Sequence, residues 1–336
     1  MNLSFSFIIP VFNRPNEIEE LLESLLLQTY SGKFEVVVIE DGSTVSSAEV
    51  IDRFKDQLNI SYYQKPNSGP GDSRNHGMKK AQGNFFIVLD SDCIVPPQYL
   101  EEVHKSLSEE FVHCYGGPDA AHPSFSDVQK AINYAMTSFL TTGGIRGRKG
   151  AVNKFQPRSF NMGISKEVFE KTGGYGNIHP GEDPDLTIRI WERGYDTKLI
   201  PKAFVFHKRR IDWNKFFIQV KKFGMVRPIL NKWHPSTAKL TYWFPSVFIL
   251  TLLASFAFVF FGFKAPLIGF TLYFLVLFID ALVRTKSLKV GFMALFATLV
   301  QFTGYGFGFL KSTIYTTFSG RAPEVLFPKL FFKTNK

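Results

Sequence analysis

The chain has little cysteine. Two residues, Cys93 and Cys114, are spread over 336 positions. They lack the paired spacing of a zinc site and are too few for a disulfide framework, so the expected compartment is a reducing one. No basic segment precedes an apolar run at the N-terminus, and the expectation is a protein without a cleaved signal peptide. Acidic residues are scarce in the last third. Residues 211–336 carry 15 Lys and Arg against 3 Asp and Glu, while the first 210 residues are slightly acidic and the whole chain is +10. The longest apolar runs fall in that same basic third. This pairing points to a membrane surface and argues against nucleic acid as the partner. Also missing is a glycine-rich phosphate loop after the first apolar run, where Asn13-Arg14-Pro15-Asn16 stands instead. That disfavours a nucleotidyltransferase.

What the chain does have, up to about residue 116, is an alternation of strand-like and helix-like segments. Phe5–Val11, Phe34–Ile39, Asn59–Gln64 and Phe85–Leu89 read as strands. Pro15–Gln28, Ser46–Lys55 and Asp72–Ala81 read as helices, with Ile18, Leu21, Leu22, Leu25 and Leu26 on one face of the first. This order predicts an α/β fold, a mainly parallel sheet covered by helices. A helix is expected over Ser126–Leu140, a strand over Arg158–Ile164, a helix over Asp183–Arg193 and a strand over Ala203–Phe206. Between them Thr141–Gly150 is rich in glycine and cations, suited to a surface loop or to closing on donor phosphates.

Four consecutive strands end in polar or glycine-containing turns: Pro10-Val11-Phe12-Asn13-Arg14, Glu40-Asp41-Gly42-Ser43, the segment from Lys65 to Asn75, and Asp90-Ser91-Asp92. Open α/β sheets bind ligands at such a shared edge. Asp90 and Asp92 lie two apart on an extended segment and point the same way. Hard divalent cations take such oxygen ligands together with phosphate oxygens. The expected centre is therefore a Mg²⁺ or Mn²⁺ ion on Asp92, with Asp90 nearer a ribose or a metal-bound water. Asp41 is suited to accept from a base or ribose, Gly42 to let the backbone approach a ligand, and Arg74, at a helix start, to face base or diphosphate. Pro10, Asn13, Arg14, Glu40, Lys65 and Ser91 complete the expected nucleotide-sugar site. In Gly181-Glu182-Asp183-Pro184 the acids fit either a helix start or a general base. Asp183 is the expected base and Glu182 its positioning partner. His207, after a strand and before Lys208-Arg209-Arg210, is a candidate nitrogen ligand. Asn161 and Met162 are candidates for a sugar or acceptor pocket.

With these residues on the page, the chain resembles family-2 glycosyltransferases of the GT-A fold. The resemblance rests on Phe7-Ile8-Ile9-Pro10-Val11-Phe12-Asn13-Arg14, Glu40-Asp41-Gly42-Ser43, Asp90-Ser91-Asp92, Gly181-Glu182-Asp183 and His207. It implies a nucleotide-diphospho-sugar donor, expected to be UDP-linked, a Mg²⁺ or Mn²⁺ cofactor and an inverting displacement. It also implies base contacts from Asp41, metal binding at Asp92 and His207, and a base at Asp183. Processive members carry Gln-x-x-Arg-Trp before a membrane channel. Here Gln219 is followed by Val220-Lys221-Lys222-Phe223, so transfer of one sugar to a lipid-linked or membrane-proximal glycan acceptor is expected rather than polymer extrusion. A processive synthase and a non-catalytic nucleotide-sugar-binding membrane partner are the alternatives.

The expected organisation is a catalytic domain over 1–210, a basic amphipathic interfacial segment over 211–240, membrane helices over 241–311 and a basic tail over 312–336. In the interfacial segment Trp213, Phe216, Phe217, Val220 and Phe223 form one side, suited to a headgroup layer. Phe244–Phe263 and Pro266–Ile279 each approach the roughly 20 residues needed to span a bilayer. Lys232, Lys239, Arg284, Lys286 and Lys289 flank this pair, which places the catalytic part on the cytoplasmic side of an inner membrane, in a multi-pass protein. A third apolar stretch, Val290–Leu310, is a full span, a re-entrant segment or a packed helix. A full span would send Lys311, Arg321, Lys329, Lys333 and Lys336 to the far side, against the same rule.

Overall fold

A computed structural model describes residues 2–120, 125–143, 155–207 and 212–332. Two compact units emerge. One comprises Met1–His122, Lys149–Lys208 and Phe331–Lys336, the other Pro123–Arg148 and Arg209–Leu330. The segment 123–148 groups with the C-terminal helices, and Phe331–Lys336 with the first unit.

The first unit is built on strands β1 (Phe5–Val11), β2 (Phe34–Asp41), β3 (Ile60–Lys65), β4 (Phe85–Leu89), β5 (Cys93–Ile94), β6 (Cys114–Gly116), β7 (Asp119–Ala120), β8 (Asn161–Ser165), β9 (Thr197–Leu199) and β10 (Val205–His207). The described residues form a seven-stranded sheet in the order β3-β2-β1-β4-β8-β6-β9 and a small sheet β5-β10-β7. β1 through β4 are mutually parallel, and β8 runs antiparallel beside β4. Side chains alternate across the main sheet, as the two-residue period of a strand requires. Phe7, Ile9, Val36, Val38, Phe85 and Ile87 enter one core. It is covered by α1 (Pro15–Leu26), α2 (Ala48–Phe54) and α4 (Tyr99–Glu109). Ile8, Val37, Ile39, Phe86 and Val88 enter the other, under α3 (Pro70–Lys80), α7 (Lys166–Thr172) and α8 (Glu182–Glu192). Burial on both faces explains why these strands read as continuous apolar runs. α1 starts on Pro15, whose missing N–H costs nothing at a helix start. Beyond the sheet, Phe331 forms an antiparallel bridge with Ile178, and the Phe332 N–H donates to Asn177 O at 3.0 Å.

The second unit contains α5 (Asp127–Thr137), α6 (Phe139–Thr142), α9 (Trp213–Trp233), α10 (Phe244–Phe260), α11 (Ala265–Thr285), α12 (Leu288–Phe318) and the short α13 (Pro323–Leu326). Ser126 caps α5 with a reciprocal pair of bonds to Gln129, an S-x-x-Q capping box. Three helical stretches, Leu240–Phe260, Ala265–Thr285 and Leu288–Phe318, are long and apolar enough to cross a membrane. α9 lies within the amphipathic segment expected over 211–240. The apolar side foreseen for lipid is instead packed in protein: Phe216 and Val220 are buried with Ala131, Ile132 and Ala135 of α5 and Val290 and Ala297 of α12, with Trp213 and Phe223 against them. A helix with neighbours buries its apolar face against them first, because direct packing removes that face from water without needing lipid.

Phe7, fully buried in the central strand against Phe34 and Tyr99, tests the first core. Phe7→Ala is expected to destabilise this unit by about 3–5 kcal/mol, read as a lowered thermal midpoint in detergent.

Candidate active site

Because β1, β2, β3 and β4 are parallel, their four C-terminal turns emerge on one edge of the sheet, and the antiparallel pairing Leu89↔Asn161 brings the start of β8 to the same edge. The turns after β1 and β2 are stitched together. Asn13, in the left-handed region at φ 54°, accepts through its side-chain oxygen from the N–H groups of Thr44 (2.8 Å) and Val45 (2.9 Å), and its own N–H donates to Ser43 Oγ at 2.7 Å. Glu40 is equally committed: it accepts from Ser43 Oγ, from Ser47 N at 2.9 Å and from Tyr62 OH at 2.9 Å. Both residues shape the turn and spend their polar atoms inside it. Pro10 holds its place in β1 opposite Ile39.

Asp41 organises the next loop. Its carboxylate accepts from Lys65 Nζ (2.7 Å), Ser68 N (3.0 Å) and Gly69 N (2.9 Å), and Asn67 Nδ2 donates to its carbonyl at 2.8 Å. Gly42 sits at φ +70°, and a Cβ there would meet Asn67 N at 2.5 Å, so glycine is required both for backbone conformation and for space. Around these residues lies a cavity of about 370 Å³ lined by Glu40, Gly42, Ser43, Ser46, Gln64, Lys65 and Pro66. The Phe332 ring covers Gly69 on another side, since a Cβ on that glycine would come within 2.3 Å of it.

Asp92 pairs with Arg14 through one oxygen, and its other oxygen lies 3.2 Å from His207 Nε2, which is also 3.9 Å from Asp90 Oδ2. The pairing of β10 with β5, His207↔Cys93, delivers the histidine to this place from more than a hundred residues away. Phe160 stacks on its ring at 4.8 Å. Burial works against charge on Asp92, but His207 and Arg14 outweigh it and hold the carboxyl well below its usual range. Asp92 Oδ1 and His207 Nδ1 are buried without hydrogen-bond partners. A buried carboxylate oxygen facing an imidazole nitrogen at 3.2 Å suits a divalent cation. Ligand atoms of Asp92, Cys93 and His207 lie within 4.8 Å of one another. Cys93 is a poor third donor for Mg²⁺ or Mn²⁺: its thiol points to Phe160 O at 3.5 Å, and burial pushes its pKa well up. Ser91 is buried within the turn.

Arg74 joins the two acidic clusters. It is 3% exposed, donates from one terminal nitrogen to Asp90 Oδ1 at 2.7 Å and from the other to Glu182 Oε1 at 3.1 Å, and stacks over Tyr175 at 5.3 Å. Burial disfavours its charge, yet Asp90 and Glu182 more than offset this and raise its pKa. Glu182 also meets His179 Nδ1 at 3.0 Å. Burial alone would raise the Glu182 carboxyl, but His179 and Arg74 bring it down to about 2. Asp183 behaves oppositely. Burial and the neighbouring Glu182 charge raise its pKa, against the opposing pull of Arg74 and Arg158, and its Oδ1 is buried without a partner. Adjacent carboxyls are thus driven apart, one fixed as an anion and one adjusted toward proton exchange.

Asn161 is fully buried, accepting from Tyr99 OH at 2.6 Å and donating to Ala203 O at 2.8 Å. Its neighbour Met162 receives the Tyr175 hydroxyl at 3.3 Å. Both side chains brace β8 from within. Sequence reasoning missed His179, Tyr175, Phe160 and Phe332. Only His179 carried a local signal, three residues before Glu182 on the approach to a helix. Residues 144–150 of the expected phosphate loop, and Lys208-Arg209-Arg210, lie outside the described residues.

Comparison with known proteins agrees with this geometry. The profile of glycosyl transferase family 2 matches residues 6–173. An uncharacterised glycosyltransferase of Rickettsia felis is 40% identical over 247 residues, 70% of this chain and 39% of that protein. The poly(ribitol-phosphate) beta-N-acetylglucosaminyltransferase TarS of Staphylococcus aureus is 34% identical over 110 residues, 32% of this chain and 19% of that one. The chain therefore spans less than half the length of these curated relatives. Among solved structures, the mannosyltransferase PcManGT of Pyrobaculum calidifontis, in complex with GDP-Man and Mn²⁺, superposes with a TM-score of 0.56 at 15% identity, covering 96% of this chain and 89% of that one. That likeness is one of fold. The profile match over half its length makes this chain a member of glycosyl transferase family 2, with the GT-A fold.

Proposed function

We propose that this glycosyltransferase moves one sugar, with inversion, from a nucleotide-diphospho-sugar to a lipid-linked or membrane-proximal glycan acceptor. The observation that carries the reading is the single buried guanidinium of Arg74 bound to Asp90 on one side and Glu182 on the other. It ties the strand-end acids to the helix-start acids, so that donor and acceptor chemistry share one crevice.

The turn after β2 and the loop held by Asp41 and Lys65 border the cavity for the nucleoside. Those side chains are bonded to one another, so they hold backbone groups in place for the ligand. Asp92 and His207, with Asp90 beside them, would hold Mg²⁺ or Mn²⁺; the bound ion would neutralise charge developing on the departing diphosphate. Asp183 takes the proton of the acceptor hydroxyl as its oxygen bonds to the anomeric carbon and the bond from that carbon to the diphosphate oxygen breaks. Glu182 stays ionised and fixes the start of α8 through Arg74 and His179. PcManGT binds GDP-Man and Mn²⁺, which supports a metal-assisted nucleotide-sugar reaction here. The three apolar helices support a membrane location, and the positive-inside distribution of loop cations supports a cytoplasmic-side catalytic unit at an inner membrane. Non-catalytic binding is disfavoured, because a mere binder has no need of two separated carboxylate clusters, Asp90 with Asp92 and Glu182 with Asp183, together with His207.

Purified protein given a panel of UDP- and GDP-sugars with Mn²⁺ and native membranes is expected to release nucleoside diphosphate and to label a membrane-associated glycan with one residue per acceptor. Absence of release from every donor would overturn the reading. Asp183→Asn should lower transfer by on the order of 10²–10⁴ while donor binding, followed by calorimetry, persists. Because the Asp183 pKa is raised, kcat/KM should fall as pH drops through a limb above the ordinary aspartate range, where the base becomes protonated; a rate unchanged down to pH 4 would exclude it as the base. Arg74→Ala leaves the buried Glu182 and the half-buried Asp90 without their shared cation and is expected to cost about 3 kcal/mol, seen as a lower thermal midpoint together with lost transfer.

A further inference from the structure

The structure presents three helices long enough to cross a bilayer, and an odd number of crossings would separate the chain's end from its catalytic unit. Yet the end returns to that unit. Phe331 bridges Ile178, the Phe332 N–H donates to Asn177 O at 3.0 Å, and the Phe332 ring lies beside Gly69 and 5.9 Å from the His179 ring. A chain that leaves this unit after Lys208 and rejoins it at Phe331 must cross an even number of times.

The packing within the second unit says which helix stays behind. α10 and α11 are joined by a short turn at Lys264 and expose Val247, Leu250, Leu253, Leu272, Leu275 and Ile279. Only 28% and 11% of their most apolar stretches are buried, against 44% for α12. α12 is seated on α9, whose backbone it touches: a Cβ on Gly224 would lie 2.1 Å from Tyr305 O, and one on Gly308 2.2 Å from Lys221 O. α9 carries Lys215, Lys221, Lys222, Arg227 and Lys232, too many cations for a helix that follows its partner through hydrocarbon. At its other end α12 packs on α5, where Lys289 meets Asp127 at 2.9 Å. α12 has 31 residues, about 46 Å at 1.5 Å per residue, well over the roughly 30 Å of a hydrocarbon core. Phe292, Phe296, Phe307, Ile314 and Phe318, among its exposed large side chains, follow helical spacing along one stripe.

We propose that the chain crosses its bilayer twice, through the α10–α11 hairpin, and that α12 lies along the membrane surface with its phenylalanine stripe at the acyl boundary. This rests on the membrane location proposed above and resolves the charge conflict: Lys311, Arg321 and Lys329 then share the side of Lys239, Arg284 and Lys286. Cys93 and Cys114 are both buried, so introduced cysteines can be read against a quiet background. Asp52→Cys (catalytic unit), Lys264→Cys (hairpin turn) and Ser319→Cys (end of α12), all at exposed positions, would be labelled by a membrane-impermeant maleimide in sealed vesicles of each orientation. The expected result is that Ser319→Cys labels from the same face as Asp52→Cys, and Lys264→Cys from the opposite face only. Ser319→Cys labelling together with Lys264→Cys would establish three crossings and overturn the proposal; all three labelling from one face would overturn it by removing the crossings. A C-terminal epitope on the otherwise unaltered chain, digested by protease from one face, gives the same answer without a substitution. Labelling needs no turnover, so failure of the donor panel leaves this result standing, and the reverse holds as well.

Discussion

One buried charge organises the first unit. Arg74 has almost no contact with water, and a lone guanidinium in that position would be costly. Its cost is offset only because Asp90 and Glu182 approach from different parts of the chain, one at the end of a strand and one at the start of a helix. The sheet edge, the first turn of α8 and the start of α3 must therefore be in place together. His179 together with this guanidinium lowers Glu182, and burial together with the anion so held raises Asp183 beside it.

The rest of the crevice is built in the same manner, by polar groups that restrain one another. Asn13, Glu40 and Asp41 use their oxygens to fix the turns after β1 and β2 and the loop before α3. Three residues expected at the nucleotide-sugar site thus shape the backbone of the turns around it. Pre-organised backbone N–H groups and glycine turns can meet a nucleotide without the entropy loss of ordering a long side chain. At Asp92 and His207 the logic reverses, since buried atoms are left without partners, the condition expected where a cation completes the set.

The second unit follows from hydrophobicity and packing. Phe-rich helices α10 and α11 expose apolar surface that water does not tolerate as a large contiguous patch. α9 and α12 come together backbone to backbone at Gly224 and Gly308, and close approach of this kind gives dispersion contact along both helices.

Strand and helix order, the two-sided burial of β1, β2 and β4, and the gathering of four strand ends at one edge were legible in the sequence. Local periodicity and parallel β-α-β connection dictate them with little freedom. So were the apolar stretches, which depend on composition alone. The partners of each polar side chain were not legible: whether Asn161 faces a sugar or braces β8 depends on Tyr99 and Ala203, more than forty residues away on either side. Nor was the face on which α9 spends its aromatic residues, because an amphipathic stripe fits a lipid headgroup layer as well as a neighbouring helix. Sequence names the groups able to bond; only tertiary structure decides with whom, because pairing is settled by distances between segments that the chain itself keeps far apart.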